Sequence, residues 1–580
     1  MKQYQSSPSV VEKPPIVEAP KKQLSGKSFS ELLQEGDDCL ESKVLYRATE
    51  AFSECIELQP NNYVPYMQRS KAYLLKGEQG LALMDIERAL ELLNSCTEKT
   101  ELMKLDLVDM YHNRAVFYFE NMKMEESEND CLSCIALCEQ VVDSMHVKKI
   151  LSESLNNLGF IYLKKDWIDQ GLECFNRALE IRQTREELCH PKDLSKIYYN
   201  KARALSMKGS YSEAIEYLNL FLASDETVAK THFSANSLLG ECLFHVGEYK
   251  KAIEKCDVVT NILMSNFDKN EQLSKAEVKN YKKKLSSNSV LKGNCYLMTG
   301  QIDEAEKAFM VARDSNRGDI VPWIELGKIK MLYKEQYEDA IYDFTTALSR
   351  FQSFQPEAQP EITPETQVST LFCRAKCYEK IKDTYSAVSD YEQILSQTLP
   401  NYFNVEEKET KNELSKEMAV SLLIPTMCRM ALLYLENNSS DIKKALTSLN
   451  KAIKVGESFG SVYTVEPLHH RYHIFVTLYS HNKGDAKNQY LERVLNDTTK
   501  IIDILQPLQE DKTIESDDLK ILENALYNRG IMYFKSNQFD KASKDLSAIP
   551  TTKEVAKLLT VCDMKNKNYL GAVKNFFTTL

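Results

Sequence analysis

Glycine and proline are scarce in this chain, 18 and 16 among 580 residues. Alanine, leucine, glutamate and lysine prevail instead, a composition that disfavours a turn-rich β architecture and suits an almost wholly helical protein. No stretch approaches the ~20 uninterrupted apolar residues of a membrane span, so none is expected. The run MKQYQSSPSVVEKPPIVEAPKKQ at the N-terminus lacks an apolar signal core, and secretion is not expected. The fifteen cysteines are odd in number and carry no paired spacing. That excludes a disulfide framework and points to reduced thiols in the cytoplasm. Positive charge is short as well: a formal net charge of −11 argues against nucleic acid, whose phosphates require a basic face. The densest basic cluster, Lys279, Lys282, Lys283 and Lys284, reads as a solvated helix surface. A Gly-rich phosphate loop, a G-x-S-x-G elbow and kinase signatures are all missing, so neither an active site nor a cofactor is expected.

What the chain does contain is one spacing, repeated. In the stretch from Ser152 to Thr184, Leu158, Gly159 and Tyr162 fall within about one helical turn, and Gly171, Phe175 and Ala178 follow at intervals of four and three. Between them lies the polar break Lys164-Lys165-Asp166-Trp167. This is the pattern of two amphipathic helices joined by a tight turn. Small Gly159 and Gly171 let the helix backbones approach, and Tyr162 and Phe175 fill the space beside them. Ser70 lies 34 residues after Gly36, Ala82 the same distance after Ala48, and Gly327 after Gly293. Further units align through Ala115 and Cys131, Ala202 and Ala214, Gly240 and Ala252, Ala375 and Tyr391, Ala431 and Ala445, Gly530 and Ala542, and a last fragment through Tyr569, Ala572 and Phe576. Between about 468 and 505 the pattern is weak.

With a period of 34 and small residues at fixed columns, the chain resembles the tetratricopeptide repeat family. The resemblance implies an all-α fold, an α-solenoid of about twelve helix-turn-helix repeats coiled into a right-handed superhelix, with the first helix of each pair lining a concave groove. Residues 1–27 are expected to be a disordered tail, 28–350 to hold repeats one to eight, and 368–580 to hold repeats nine to twelve with irregular units. The proline-rich run FQSFQPEAQPEITPETQ, 351–367, is expected to be a linker or bend, because proline clashes inside a helix.

Two groups of residues stand out. Asn113, Asn157 and Asn200 each precede by two the small residue of a first helix, in three consecutive repeats, and Asn528 does so again near the end. The resemblance implies that this column faces the groove, where an amide can both donate to and accept from the backbone of an extended peptide; the competing reading is that these asparagines tie neighbouring repeats together. By the same register Asn156, Lys196, Tyr199 and Arg203 line the groove, along with His112 and Phe160, and the cations favour a partner with acidic character. The carboxylate clamp of chaperone-binding family members is not found: it would need Lys and Asn where Leu33 and Asp37 stand, and Lys and Arg where Asp109 and Asn113 stand. The second group is Phe576, Phe577 and Leu580, an apolar cluster expected to make a protein contact. Two other clusters are read as ordinary. Cys131, Cys134 and Cys138 occupy packing columns, and His469, His470 and His473 lack a metal-ligand pattern, so no metal is expected.

The function implied is a non-catalytic scaffold for protein–protein interaction. The alternatives are a subunit of a cytoskeletal, ciliary or trafficking assembly, or an adaptor that regulates a catalytic partner.

Overall fold

The computed structural model describes residues 26–142, 144–184, 191–268, 274–351, 363–398, 419–437 and 441–577. The expected disordered tail, apart from Gly26 and Lys27, lies outside them, as do residues 352–362 of the expected linker and Leu580. Of the described residues 85% are helical, in 27 α-helices, and none is in a strand. No helix among them is long and apolar enough to cross a membrane.

The chain divides into two compact units, 1–272 and 273–580. The first holds six antiparallel pairs, from Phe29–Glu41 with Leu45–Leu58 to Phe233–Val246 with Tyr249–Asp268; a short helix, Glu226–Thr231, precedes the last pair. The second holds seven, from Lys275–Met298 with Ile302–Ser315 to Lys553–Lys565 with Tyr569–Phe577. Tyr337–Phe351 and Pro364–Lys380, on either side of the proline-rich run, pack on each other within the second unit. One pair more is present than the sequence spacing gave: Val465–His481 with Gly484–Glu510, in the stretch where the pattern faded. Its small-residue column is filled by Tyr472, fully buried, and its second helix runs to 27 residues, so both the column and the period are lost there.

Size complementarity inside each pair explains the small residues. A Cβ built on Gly36, Gly159, Gly293 or Gly327 would stand 2.4–2.7 Å from the ring of Phe52, Phe175, Phe309 or Phe344 respectively. All four rings are fully buried. Where the first helix offers alanine or serine instead, the facing residue is Ile86, Cys131 or Leu218, with Tyr391 the exception in size. The turn between helices needs one residue in the left-handed region. Gly77 and Gly247 supply it at no steric cost, whereas Asp166 of the template stretch adopts φ 61° despite its side chain. Replacing Gly293 with alanine should therefore cost about 1–3 kcal/mol by overpacking against Phe309, read as a lower urea midpoint. Gly80→Ala is the control: no atom lies within 4 Å of its Cβ, and stability should hold or rise by about 0.4–1 kcal/mol.

Polar staples run beside this apolar seam. Arg69, Arg114, Arg374 and Arg529 stand one residue before the small column, and each donates two hydrogen bonds at 2.6–2.8 Å to the aspartate sixteen residues on, Asp85, Asp130, Asp390 and Asp545. In three of them the third nitrogen reaches the second helix of the preceding pair, at Ser53, Thr345 or Thr499. Arg471 repeats the arrangement in the elongated pair, to Asp497 and back to Asn450.

Candidate peptide-binding groove

The groove candidates stand on three first helices of the first unit, Glu101–Glu120, Met145–Lys164 and Pro191–Lys208. The structure separates the asparagines of the ladder. Asn200 Nδ2 donates to Asn156 Oδ1 at 2.9 Å, and Asn156 is buried, so this amide joins the fourth repeat to the fifth. Asn113 and Asn157 are half-buried, and their side chains make no hydrogen bond with any described residue. Asn528, in the second unit, donates to its own helix at the Asn524 carbonyl, 2.8 Å.

The amide column extends further than asparagine alone discloses. Gln34 and Gln68, 34 residues apart, occupy the same register, so five consecutive repeats carry an amide there. Gln34 Nε2 donates to Asp38 at 2.8 Å and Gln68 Nε2 to Asp37 at 2.9 Å. A search by side-chain chemistry would have found them; a search for one residue type does not.

Between the third and fifth repeats lies a cavity of about 450 Å³, lined among others by His112, Glu153, Asn156, Asn157, Arg182 and Lys196. Its wall is a polar network. The Glu153 carboxylate lies 3.5 Å from His112 Nε2 and 3.3 Å from Arg182 Nη2. Arg182, on the second helix Ile168–Gln183, is 2% exposed and donates through Nε to Ser152 Oγ at 2.8 Å. His112 Nδ1 is 3.0 Å from Ser154 Oγ, whose hydroxyl donates to Cys134 Sγ. Burial alone would raise the Glu153 carboxyl; the His112 hydrogen bond, with the charges of His112, Arg182 and Lys149, outweighs it and holds the group below its ordinary value. Sequence register placed His112 at this wall but missed Glu153 and Arg182, because a buried arginine on a second helix has no periodic signature.

Beside the cavity, Phe160 is packed edge-on by Phe119, ring centroids 5.2 Å apart. The Arg203 guanidinium lies 5.1 Å from the Phe160 centroid and 5.9 Å from that of Tyr199, and Lys164 Nζ lies 5.5 Å from Phe160. Tyr199 also packs on Phe221 and His232, so part of its surface serves the fold.

The other singled-out residues fall elsewhere. Cys131 and Cys134 are fully buried, and Cys138 nearly so. His469, His470 and His473 lie on Val465–His481, with the rings of His469 and His473 4.6 Å apart. No group of three or more potential metal ligands occurs among the described residues. Phe576 is 53% exposed, in the column where Phe52, Phe175, Phe309 and Phe344 are fully buried; the Phe577 side chain and Leu580 lie outside what is described.

Comparison with known proteins gives one family. A family model described as tetratricopeptide repeat matches residues 152–185 and 195–227, which include the template stretch and the fifth repeat. None of the curated proteins matches. Similar solved structures include a tetratricopeptide repeat protein from Parabacteroides merdae, 19% identical over 53% of this chain and 100% of that one, with a TM-score of 0.30. The C-terminal part of a TPR repeat-containing protein from Cytophaga hutchinsonii is 12% identical, over 50% of this chain and 97% of that one, TM-score 0.35. MamA from Desulfovibrio magneticus is 18% identical, over 35% and 96%, TM-score 0.27.

Proposed function

From the premise that the chain is a tetratricopeptide repeat protein, we propose that it is a non-catalytic scaffold holding an extended segment of a partner protein in the groove of its third to fifth repeats. The observation that carries this reading is the pair Asn113 and Asn157. Their amides make no hydrogen bond with a described residue, and Asn157 lines the cavity, whereas Asn200 of the same column is used to join repeats. An amide left without a partner at a groove wall is suited to a peptide unit, which offers one donor and one acceptor per residue. Fourteen cysteines among the described residues are free thiols, which supports a cytoplasmic setting. The net charge of −11 supports protein partners over nucleic acid. A second contact at the helix Tyr569–Phe577, through exposed Phe576, Leu570 and Val573, belongs to the same scaffold reading.

The test separates the two uses of the column. Replacing Asn113 and Asn157 with alanine should weaken a captured partner about tenfold, two hydrogen bonds at about 0.5–1.5 kcal/mol each, with helical content and melting unchanged. Asn200→Ala should instead lower stability by about 1 kcal/mol through loss of the bond to Asn156. Equal loss of fold in all three would sink the groove reading. Partners come from affinity purification with mass spectrometry and from proximity labelling. A fixed stoichiometric set marks an assembly subunit, and one dominant enzyme marks a regulatory adaptor.

A further inference from the structure

Several cations in the fourth and fifth repeats are engaged by carboxylates of the chain. Lys165 is paired with Glu128, Arg177 with Glu139 at 2.9 Å and Lys208 with Asp169 at 2.8 Å. Lys164, Lys196 and Arg203 have no carboxylate within ion-pair distance among the described residues. Lys164 and Arg203 stand beside Phe160, and Lys196 lines the cavity. Lys164 and Lys196 are exposed and Arg203 is half-buried. The cavity wall carries two acids: Glu153, engaged by His112 and Arg182, and Glu120, which accepts from Gln79 Nε2 at 3.1 Å.

A half-buried guanidinium without a counter-ion pays for part of its lost hydration with nothing in return, unless something else supplies the anion. Arg203 lies over the rings of Phe160 and Tyr199, and a guanidinium is a fork of N–H donors that can receive two anionic oxygens side by side. Lys196, on the same helix as Arg203 and lining the cavity, adds a second positive centre, and Lys164, also beside Phe160, a third. Resting on the groove reading above, we infer that Arg203, Lys164 and Lys196 form a subsite for an acidic side chain, carboxylate or phosphate ester, of the segment whose backbone Asn157 holds. Phe119 and Phe160, packed edge to face, lie beside it. The subsite fixes register, since one acidic residue of the segment must meet the fifth repeat when its backbone meets the fourth.

Selection of a random dodecapeptide display library on the full chain tests this without knowledge of the natural partner. The selected pool should be enriched in aspartate and glutamate. Synthetic peptides from it should lose about tenfold or more in affinity when the shared acid is changed to its amide, when Arg203 becomes methionine, and to a lesser degree with Lys196→Met, as charge-assisted hydrogen bonds do. Binding should weaken as salt rises from about 50 to 200 mM, with a shallower slope in Arg203→Met. Thermal melting of each variant is followed, and Lys196→Met, at an exposed position, keeps the test open if Arg203→Met melts early. Phosphoserine in place of the shared acid distinguishes the source: tighter binding than glutamate marks a phosphorylated segment, equal or weaker binding a carboxylate. Asn157-dependent peptides without acidic enrichment, or indifferent to Arg203 and Lys196, overturn the subsite while the groove reading stands. Recovery of no peptide that depends on Asn157 removes both.

Discussion

Asp390→Ala is expected to destabilise the second unit by about 3–5 kcal/mol, while the double change Arg374→Met with Asp390→Leu leaves it unchanged or more stable by about 1–4 kcal/mol. Asp390 is 4% exposed. Its two oxygens accept from Arg374 Nε at 2.8 Å and Nη2 at 2.6 Å, and Arg374 Nη1 donates to Thr345 Oγ1 at 3.0 Å on the preceding pair. Removing the carboxylate alone strands a guanidinium between three helices. The desolvation already spent on the pair is considerable: burial pushes the Asp390 carboxyl above its ordinary value in spite of the arginine beside it. Hence the ion pair specifies how one repeat sits on the next more than it stabilises the stack, and an apolar pair of similar volume can replace it. Because adjacent repeats unfold semi-independently, the measurement is hydrogen exchange by peptide fragments. Protection should fall first over Tyr337–Phe351, Pro364–Lys380 and Thr384–Thr398. A uniform loss across the unit, or a double variant as unstable as Asp390→Ala, would contradict this account.

The same staple marks the limit of what periodicity can convey. Gly159, Phe175 and their equivalents were legible because the small and large partners of one contact recur at a fixed interval in a chain otherwise short of glycine. Arg69 with Asp85 and Arg374 with Asp390 recur at the same interval of sixteen, yet a charge is ordinarily taken for solvated surface, and only the fold reveals that these aspartates are buried. The pair Val465–His481 with Gly484–Glu510 was hidden for a different reason. Tyr472 fills the column where a small residue is expected, and the Arg471–Asp497 interval grows to 26 with the longer second helix. Pattern matching needs a constant period, whereas helix packing needs only complementary surfaces. At the groove, the positions of Asn157 and Asn200 were readable from the column alone; that the Asn200 amide is used was not, since it depends on Asn156 of the preceding repeat lying 2.9 Å away.

That hidden pair carries the second large effect, a loss of stability in mild acid. On Val465–His481 the His469 ring packs 4.6 Å from His473, 5.2 Å from Tyr472 and 5.7 Å from His470. Burial, with the like charges of His473 and His470, pushes the His469 imidazole down to about 4, Glu466 opposing only in part. His473 is lowered too, by burial and by His470. The folded chain thus refuses protons that the unfolded chain accepts from its ordinary value of about 6.5 downward. Above pH 6.5 both states are neutral at this residue and its contribution is fully present; between pH 6.5 and 4 the unfolded state alone gains charge, and stability falls toward a loss of about 3 kcal/mol. Glu466, held below its ordinary value by its His470 hydrogen bond, adds to the loss only under more acid conditions. Urea midpoints of the second unit's transition, taken at half-unit steps from pH 7.5 to 4.5, should therefore decline, and His469→Phe should flatten most of the decline while leaving the pH 7.5 value within about 1 kcal/mol. An unchanged slope in His469→Phe would assign the acid sensitivity to carboxylates elsewhere. The first unit offers the comparison: burial lowers its His232 as well, but without a neighbouring imidazole adding to the shift, so its transition should move less across the same range.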